Sequence, residues 1–332
     1  MSQPGFSRSR GRRVGNAGAI AAVMIAVAGA GVGALAAYMS NFGARADAAK
    51  SRPPVSESRY FAPSHSAQPE RAQIVGRMLR GEPPARLAAP ESKIAATRKP
   101  QIIIVMDDMG VDPAASLSAL ALPGPMTMSF LPYGGDVQTL VSRAQSKGHE
   151  VMLHLPMQPR GQEDPGPHAL TLGLTGSEFL RRLEWNLEQF EGYVGVNNHM
   201  GSRLTADEAA MKTVLAYLNE RDLFFLDSVT TGDTVVQEAG AMVGANVFSR
   251  DVFLDPTPGD RQEVRRQLML VERIALETGY AVAIAHPRRE TLEVLGPWLT
   301  SVKARGFELK PASSLLAPAQ PQVLASAPEL RL

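Results

Sequence analysis

The sequence predicts an α/β protein whose folded part is a (β/α) barrel of seven or eight strands. Between residues 101 and 310, short apolar segments alternate with segments that have helical periodicity. Several of the apolar segments are continuous runs, which is typical of parallel strands covered on both faces. Parallel strands alternating with helices build either a barrel or a doubly wound open sheet, so the open sheet is the alternative architecture.

The first predicted strand, residues 102–106, organises the domain. It is a run of Ile, Val and Met that ends on Asp107 and Asp108, two residues before Gly110. Two adjacent carboxylates at the end of a buried strand repel each other, which raises one pKa unless a cation lies beside them. The interpretation without function is that both aspartates only turn the chain or cap the next helix.

The other elements follow in alternation. Predicted strands cover residues 126–131, 150–155, 193–197, 223–227, 246–253, 280–285 and 306–310. Predicted helices cover residues 113–120, 136–147, 177–190, 206–221, 233–243, 260–278 and 289–305. Two helix starts fit the capping box, Thr175 with Glu178 and Thr205 with Glu208.

Residues 17–39 carry no charge and are long enough to cross a hydrocarbon core of about 30 Å as a helix. Because four arginines precede this segment, we expect a single-pass anchor in the inner membrane, with residues 1–16 in the cytoplasm and the folded domain in the periplasm. A cleaved signal peptide is the alternative, since residues 44–46 read Ala-Arg-Ala.

Composition limits the remaining segments and the chemistry. Residues 40–100 are rich in proline and predict a disordered linker with one short helix near 73–79, and residues 317–332 predict a disordered tail after a domain at 101–316. The chain has no Cys, so a metal would be held by His and carboxylate side chains. Since the 34 basic residues nearly equal the 33 acidic ones, the chain lacks the excess positive charge of a nucleic-acid-binding protein, and we do not expect nucleic acid as a partner. The sequence does not determine the oligomeric state.

Polar side chains recur where predicted strands end. They are Asp107, Asp108, His154, Asn197, Asn198, His199, Asp227, Ser228, Arg250, Asp251 and His286. Because the carboxyl ends of parallel strands meet at one face, we expect a site there. His149 lies five positions before His154 on the same strand and therefore points to the opposite face. His65 and His168 are assigned no role.

One carboxylate and two imidazoles form a suitable open site for Zn²⁺ or a similar divalent ion, with positions left for water and substrate. His154 and His199 are the candidate imidazoles. The glycines around His199, Gly195 and Gly201, allow a ligand to approach the backbone closely.

The domain resembles the divergent polysaccharide deacetylases, distant relatives of the NodB-type carbohydrate esterases. The matching motifs are residues 107–110, 148–157, 195–202, 224–228, 250–255 and 285–287. The resemblance implies a NodB-like barrel in which Asp107 is the catalytic base, Asp108 is a metal ligand and His286 is the general acid. The His-x-x-x-His motif of those enzymes is broken, because Gln158 follows His154 in place of the second histidine, so His199 would supply the missing ligand.

These residues lead to a functional hypothesis, which is metal-assisted removal of N- or O-acetyl groups from an envelope polysaccharide or peptidoglycan-type glycan. Asp227 is predicted to orient His286. The predicted contacts with substrate come from Asn198, Arg203, Asp227, Arg250 and Asp251. Two alternatives remain: a non-catalytic, membrane-anchored protein that binds glycan or a protein partner through a degenerate site, and a metal-dependent phosphoesterase or amidase on the same scaffold.

Overall fold

The structure is a computed structural model that describes residues 68–81 and 99–316. The predicted anchor at 17–39, most of the predicted linker and the predicted tail at 317–332 lie outside the described residues. Within the ranges that are described, no helix has the length and apolar character needed to cross a membrane.

The described residues alternate strands with helices as the sequence predicts. The strands are β1 (Gln101–Met109), β2 (Thr127–Phe130), β3 (Glu150–Met157), β4 (Gly195–Met200), β5 (Phe224–Asp227), β6 (Val247–Ser249), β7 (Val252–Phe253), β8 (Tyr280–Ala285) and β9 (Glu308–Lys310). The helices are α1 (Gln68–Leu79), α2 (Pro113–Leu120), α3 (Val137–Ser146), α4 (Gly176–Leu187), α5 (Glu208–Asn219), α6 (Val236–Val243), α7 (Arg261–Thr278) and α8 (Arg289–Val302). Short 3₁₀ turns cover Leu204–Ala206 and Ala312–Leu316.

All strand pairs in the sheet are parallel, in the order β6-β5-β4-β3-β2-β1-β8-β7. Strand β9 lies off this path. It pairs with the start of β1 at Gln101–Ile103, whereas β2 pairs with β1 from Val105 onward. Since β8 occupies the other edge of β1, β9 and β2 share one edge of this central strand.

The single strand predicted at 246–253 is wrong, because the chain there pairs with two different neighbours. The amide of Arg250 donates to the carbonyl of Asp227 on β5 at 3.1 Å, and the next amide, that of Asp251, donates to the carbonyl of Val282 on β8 at 2.8 Å. The segment between β6 and β7, which we call the seam, therefore joins the two ends of the sheet. The sheet is an incomplete parallel barrel, consistent with the NodB-like barrel expected.

The buried apolar residues form an outer and an inner cluster. The outer cluster joins the helices to the strands. The inner cluster contains only residues from strands and from the last 3₁₀ turn, so strand side chains fill the barrel. Four of its members, Val105, Met152, Leu226 and Ile284, stand two residues before the site residues Asp107, His154, Ser228 and His286. Because strand side chains alternate with a period of two, the polar site is the next layer of the barrel interior.

Of the two predicted capping boxes, the N-cap half of one is confirmed, while the carboxylate of Glu178 accepts from Arg181 and Arg182. Thr175 caps α4, and its hydroxyl accepts from the amide of Glu178 at 3.3 Å. The prediction for Thr205 is wrong, because the 3₁₀ turn at Leu204–Ala206 delays the start of α5 and Asp207 becomes its cap, accepting from the amide of Ala210.

Helix α1 extends the short helix predicted near residue 73 and packs against α7 through the buried side chains of Val75 and Met78. Its Arg71 makes a bidentate ion pair with Asp251 of the seam, at 2.9 and 2.7 Å. The same guanidinium stacks over the ring of Tyr280 at 3.8 Å. The helix is thus fastened to the place where the barrel closes.

Candidate metal centre

The end of β1 is distorted in a way that brings two neighbouring carboxylates to one place. The register between β1 and β2 shifts between Met106 and Met109, as in a β-bulge. Asp108 lies in this bulge with a φ of 57°, in the left-handed region that Asp tolerates better than most residues. In a regular strand Asp107 and Asp108 would point to opposite faces, and the bulge removes that restriction.

The three predicted metal ligands meet. Oδ1 of Asp108 lies 2.9 Å from Nδ1 of His199 and 3.3 Å from Nε2 of His154. The two ring nitrogens are 3.2 Å apart. Ligand atoms bound at about 2.0 to 2.1 Å to a tetrahedral zinc ion lie about 3.3 Å from one another. The three atoms therefore form a triangle of the size that a small divalent cation requires.

The hydrogen bonding of Asp108 also fits a cation. Its Oδ1 atom is buried yet accepts no well-directed hydrogen bond, although two ring nitrogens lie close to it. Burial opposes the ionisation of this carboxyl, but the rings of His154 and His199 outweigh it and hold the pKa of Asp108 well below its usual range. An ionised oxygen without a proper donor, next to two imidazoles, is the donor set of a metal site.

His154 is held with one nitrogen directed at this triangle. Burial favours the neutral ring, but the carboxylates of Asp107 and Asp108 outweigh it and raise the pKa of His154. The raised pKa of His154 indicates a negative electrostatic potential at the ring, which would also favour a bound cation. The other nitrogen, Nδ1, lies 2.8 Å from Oδ1 of Asn197, which can only accept a hydrogen bond. This contact leaves Nε2 as the ligand atom.

Asp107 occupies a drier position than Asp108. The residue is 2% exposed, and Oδ1 accepts a 2.8 Å hydrogen bond from the side-chain amide of Asn197. Its Oδ2 lies 3.8 Å from Nε2 of His154, beside the proposed ligands. Burial raises the pKa of Asp107, as expected for a carboxyl that exchanges protons rather than one that only neutralises a charge.

His286 completes the mouth of the barrel. Its Nε2 lies 3.7 Å from Oδ2 of Asp108, and its Nδ1 donates to Oδ1 of Asp255 at 3.0 Å. Oδ2 of Asp255 accepts from the His286 amide at 3.0 Å and from the hydroxyl of Thr291 at 2.8 Å. Burial opposes protonation of the ring, but Asp255 and the site carboxylates raise the pKa of His286.

The prediction that Asp227 orients His286 is wrong, because Asp255 holds that ring. Asp227 is fully buried and its oxygens accept from the amide of Val229 and the hydroxyl of Thr234, both at 2.8 Å. It therefore shapes the loop after β5. Asp255 belongs to a motif that carried the family resemblance, but its spacing from His286 gave no sign of contact.

Of the remaining predicted substrate contacts, Asn198, Arg250 and Asp251 have polar side-chain atoms already engaged within the protein. The Asn198 side chain accepts from the amide of Ser228 and donates to the carbonyl of Met200. The guanidinium of Arg250 donates to the carbonyls of Ser228 and Val229. Asp251 is paired with Arg71, and Arg203 is exposed. Sugar contacts by these side chains stay a prediction.

His149 and His168 lie away from the triangle, and His65 lies outside the described residues. His149 is buried and accepts from the amide of Met126 at 3.3 Å, as expected for a structural residue. His168 stacks on Trp185. Gln158, which replaces the second histidine of the broken motif, accepts from the amide of Leu172 at 2.9 Å through its side chain and so anchors a loop.

An open groove leads away from the mouth on the side of His286. It has a volume of about 610 Å³ and runs between the N-terminal ends of α2 and α8. Its wall includes Asp108, Val111, Asp112, His286, Pro287, Arg288, Arg289, Leu292 and Glu293. The groove gives an extended molecule access to the proposed acid and to a metal ligand at once.

Comparison with known proteins agrees with this geometry. The sequence model of a family described as divergent polysaccharide deacetylase matches residues 104–316. YibQ of Escherichia coli (strain K12), described as an uncharacterized protein, is 33% identical over 244 residues, covering 74% of this chain and 74% of YibQ. An uncharacterized protein of Haemophilus influenzae (strain ATCC 51907 / DSM 11121 / KW20 / Rd) is 32% identical over 198 residues, covering 59% of this chain and 69% of that protein.

Among solved structures, an uncharacterized protein from Agrobacterium tumefaciens C58 superposes with a TM-score of 0.64 at 28% sequence identity. The superposition covers 66% of this chain and 90% of that protein. None of these three relatives carries a description that states an activity, so they support the family and the fold.

Proposed function

Because the chain belongs to the divergent polysaccharide deacetylase family, we propose that its barrel domain is a metal-dependent hydrolase that removes acetyl groups from an envelope polysaccharide. The observation that carries the proposal is the triangle of Asp108, His154 and His199, with Asp107 and His286 beside it. The polysaccharide substrate and the metal are likewise proposed. Zinc is the preferred ion because the donor set is two imidazoles and one carboxylate.

In this mechanism Asp108, His154 and His199 would hold a divalent cation, which when bound would supply Lewis acidity toward water and the acetyl carbonyl. Asp107 accepts the proton of the water as its oxygen attacks the carbonyl carbon. The raised pKa of Asp107, caused by its burial, makes this carboxylate a stronger base than an exposed aspartate.

His286 completes the reaction on the other side of the mouth. As the bond between the acetyl carbon and the sugar nitrogen or oxygen breaks, Nε2 of His286 donates its proton to the leaving atom. The bond from Nδ1 to Asp255 fixes the ring orientation and stabilises the protonated form that this step needs. Since the groove adjoins His286, we place the sugar chain of the leaving group in it.

Acetate release from N- and O-acetylated oligosaccharides by the purified full chain tests the proposal. We expect Asp108→Asn to lower turnover about 10³-fold or more, equivalent to about 4 kcal/mol of transition-state stabilisation. Glu220→Gln removes a carboxylate of similar charge that is 76% exposed and follows the last turn of α5, at the far end of the barrel, so it should leave turnover unchanged. A wild-type protein that binds a divalent metal and releases no acetate from any of these sugars refutes the proposal.

A non-catalytic glycan-binding protein is the second candidate. The observation that favours it is Gln158, which stands where the related enzymes have a metal ligand and is committed to a loop. Metal analysis of the purified protein separates the two functions, since a domain that is free of metal and indifferent to chelators cannot catalyse the reaction above. A metal-dependent phosphoesterase or amidase is tested with the same assay and other substrates.

The proposed location is the periplasmic face of the inner membrane, with residues 17–39 as the anchor. This part of the proposal is supported by the arginines before that segment and by its uncharged composition. A reporter enzyme that is active only in the periplasm, fused after residue 316, should be active in cells. An inactive fusion would contradict the proposed orientation.

A further inference from the structure

One fully buried side chain contacts both the proposed base and a proposed metal ligand. Asn197 has no exposed surface, and its amide nitrogen donates to Oδ1 of Asp107 at 2.8 Å and to the hydroxyl of Ser228 at 3.2 Å. Its amide oxygen accepts from the hydroxyl of Ser129 at 2.5 Å and lies 2.8 Å from Nδ1 of His154. All its hydrogen-bonding capacity toward the barrel interior is therefore used.

The chemistry of these neighbours fixes the orientation of the amide. An ionised carboxylate can only accept, so the amide nitrogen must face Asp107 and the amide oxygen must face His154. An oxygen cannot donate, so Nδ1 of His154 must carry the proton. Consequently Nε2 keeps its lone pair, which is the form that binds a metal.

The same contact selects one oxygen of Asp107. Because Oδ1 is bound to the amide of Asn197, Oδ2 is the oxygen left toward the ring of His154 and the proposed ligands. We propose that Asn197 is a positioning residue that sets the ligand atom of His154 and the reactive oxygen of Asp107 together. This inference rests on the proposed function for its catalytic half, and on the donor geometry alone for its metal-binding half.

The residue type at 197 follows from serving both neighbours. A carboxylate there would hold the N–H of His154 at least as well but would repel Asp107 in a buried setting. A leucine would leave a buried carboxylate oxygen and a buried ring N–H without partners. The amide is the side chain of this size that presents an acceptor on one side and a donor on the other.

Two substitutions separate the two roles. The role in metal binding is measured as the zinc dissociation constant, by competition with a chromophoric chelator. The role in catalysis is measured as kcat and KM for acetate release. We expect Asn197→Leu to weaken zinc binding about 10- to 100-fold, the usual effect of losing such a support. We expect Asn197→Asp to keep zinc affinity within about threefold of wild type, but to lower kcat about 100-fold with KM little changed, because Asp107 is displaced. A residue that only maintains the fold would not separate affinity from turnover in this way.

Asn186 supplies the matched control, since it is an equally buried amide that bonds to the carbonyls of His168 and Arg182 away from the site. Asn186→Leu should lower the melting temperature without changing zinc affinity. If a variant at 197 does not fold, the nitrogen-15 spectrum of the zinc-loaded wild-type protein decides, because ligation of His154 through Nε2 with a protonated Nδ1 is expected and ligation through Nδ1 would overturn the inference.

The outcomes for the two proposals are distinct. If Asn197→Leu binds zinc as tightly as wild type, the inference about Asn197 fails while the hydrolase proposal stands. If wild type binds zinc and hydrolyses none of the acetylated sugars, the hydrolase proposal fails while a loss of affinity in Asn197→Leu still supports the role of Asn197. If wild type binds no metal, both are overturned.

Discussion

Replacing Asp255 by Asn tests the proposed acid without touching a proposed metal ligand. Asp255 is 1% exposed and accepts three hydrogen bonds, two of them from His286. An asparagine retains one acceptor oxygen but places an N–H₂ group against a donor, and it removes the negative charge 3.0 Å from the ring. Because general acid catalysis contributes about 10²- to 10⁴-fold, we expect kcat to fall about 10²-fold.

The sign of the pH effect follows from the pKa of His286, which Asp255 raises. The acid must be protonated to act, so the raised pKa extends activity toward higher pH. Without the charge the pKa of His286 falls, and the alkaline limb of the kcat profile should move to lower pH. Acetate release followed between about pH 5 and pH 10 measures this shift.

Asp227→Asn is the comparison variant, because Asp227 is an equally buried carboxylate at a strand end that has no contact with His286. It should leave the alkaline limb in place. If Asp227→Asn shifts that limb and Asp255→Asn does not, the assignment of Asp255 as the partner of the acid is refuted.

Three further predictions concern the fold and the metal. Arg71→Met leaves the carboxylate of Asp251 buried without its cation and should lower the free energy of unfolding in urea by about 2 to 4 kcal/mol. Arg289→Met is the control, because its ion pair has an arginine that is 82% exposed, and it should change stability little. Equal effects of the two substitutions would contradict the role of the seam contact. Gln158→His should not raise zinc affinity, because position 158 faces a loop and His199 fills the ligand position, and a second bound metal or a tighter constant in equilibrium dialysis would refute this. Protein freed of metal by a chelator should melt about 5 to 10 °C below protein in zinc at about 100 times the dissociation constant, and added zinc should restore the higher temperature. An unchanged melting curve would show that no metal binds the folded state.

The pattern of strands and helices could be predicted from the sequence because the long strands are continuous buried apolar runs and the helices bury one face. The position of the site was also predictable, since Asp107, His154 and His286 each follow an apolar strand residue by two positions. The strand at 246–253 was predicted as one piece because only three polar residues separate Val247 and Phe248 from Val252 and Phe253. Its division depends on pairing with β5 and then β8, which are distant in the sequence.

The partners within the site were the part that local patterns could not reveal. Asp255 contacts His286 across 31 residues of sequence and Asn197 contacts Asp107 across 90. Because local periodicity relates only residues close in sequence, it could not predict either contact. Asp227 was chosen as the partner of His286 because it also ends a strand, and only the three-dimensional arrangement distinguishes the two aspartates. The bulge that turns Asp108 inward likewise has no glycine at that position to mark it.

The attachment of α1 to the seam has a mechanical consequence. Any tension that reaches the domain from the N-terminal side of the chain arrives at α1 before it arrives at β1, the central strand. The guanidinium of Arg71 then passes the load to the carboxylate of Asp251, whose other partner is the backbone amide of Val282 on β8. A force applied on the N-terminal side is therefore resisted first at the seam, where the two ends of the sheet meet. The hydrogen bonds between β1 and its neighbouring strands bear this force only after the ion pair between Arg71 and Asp251 breaks.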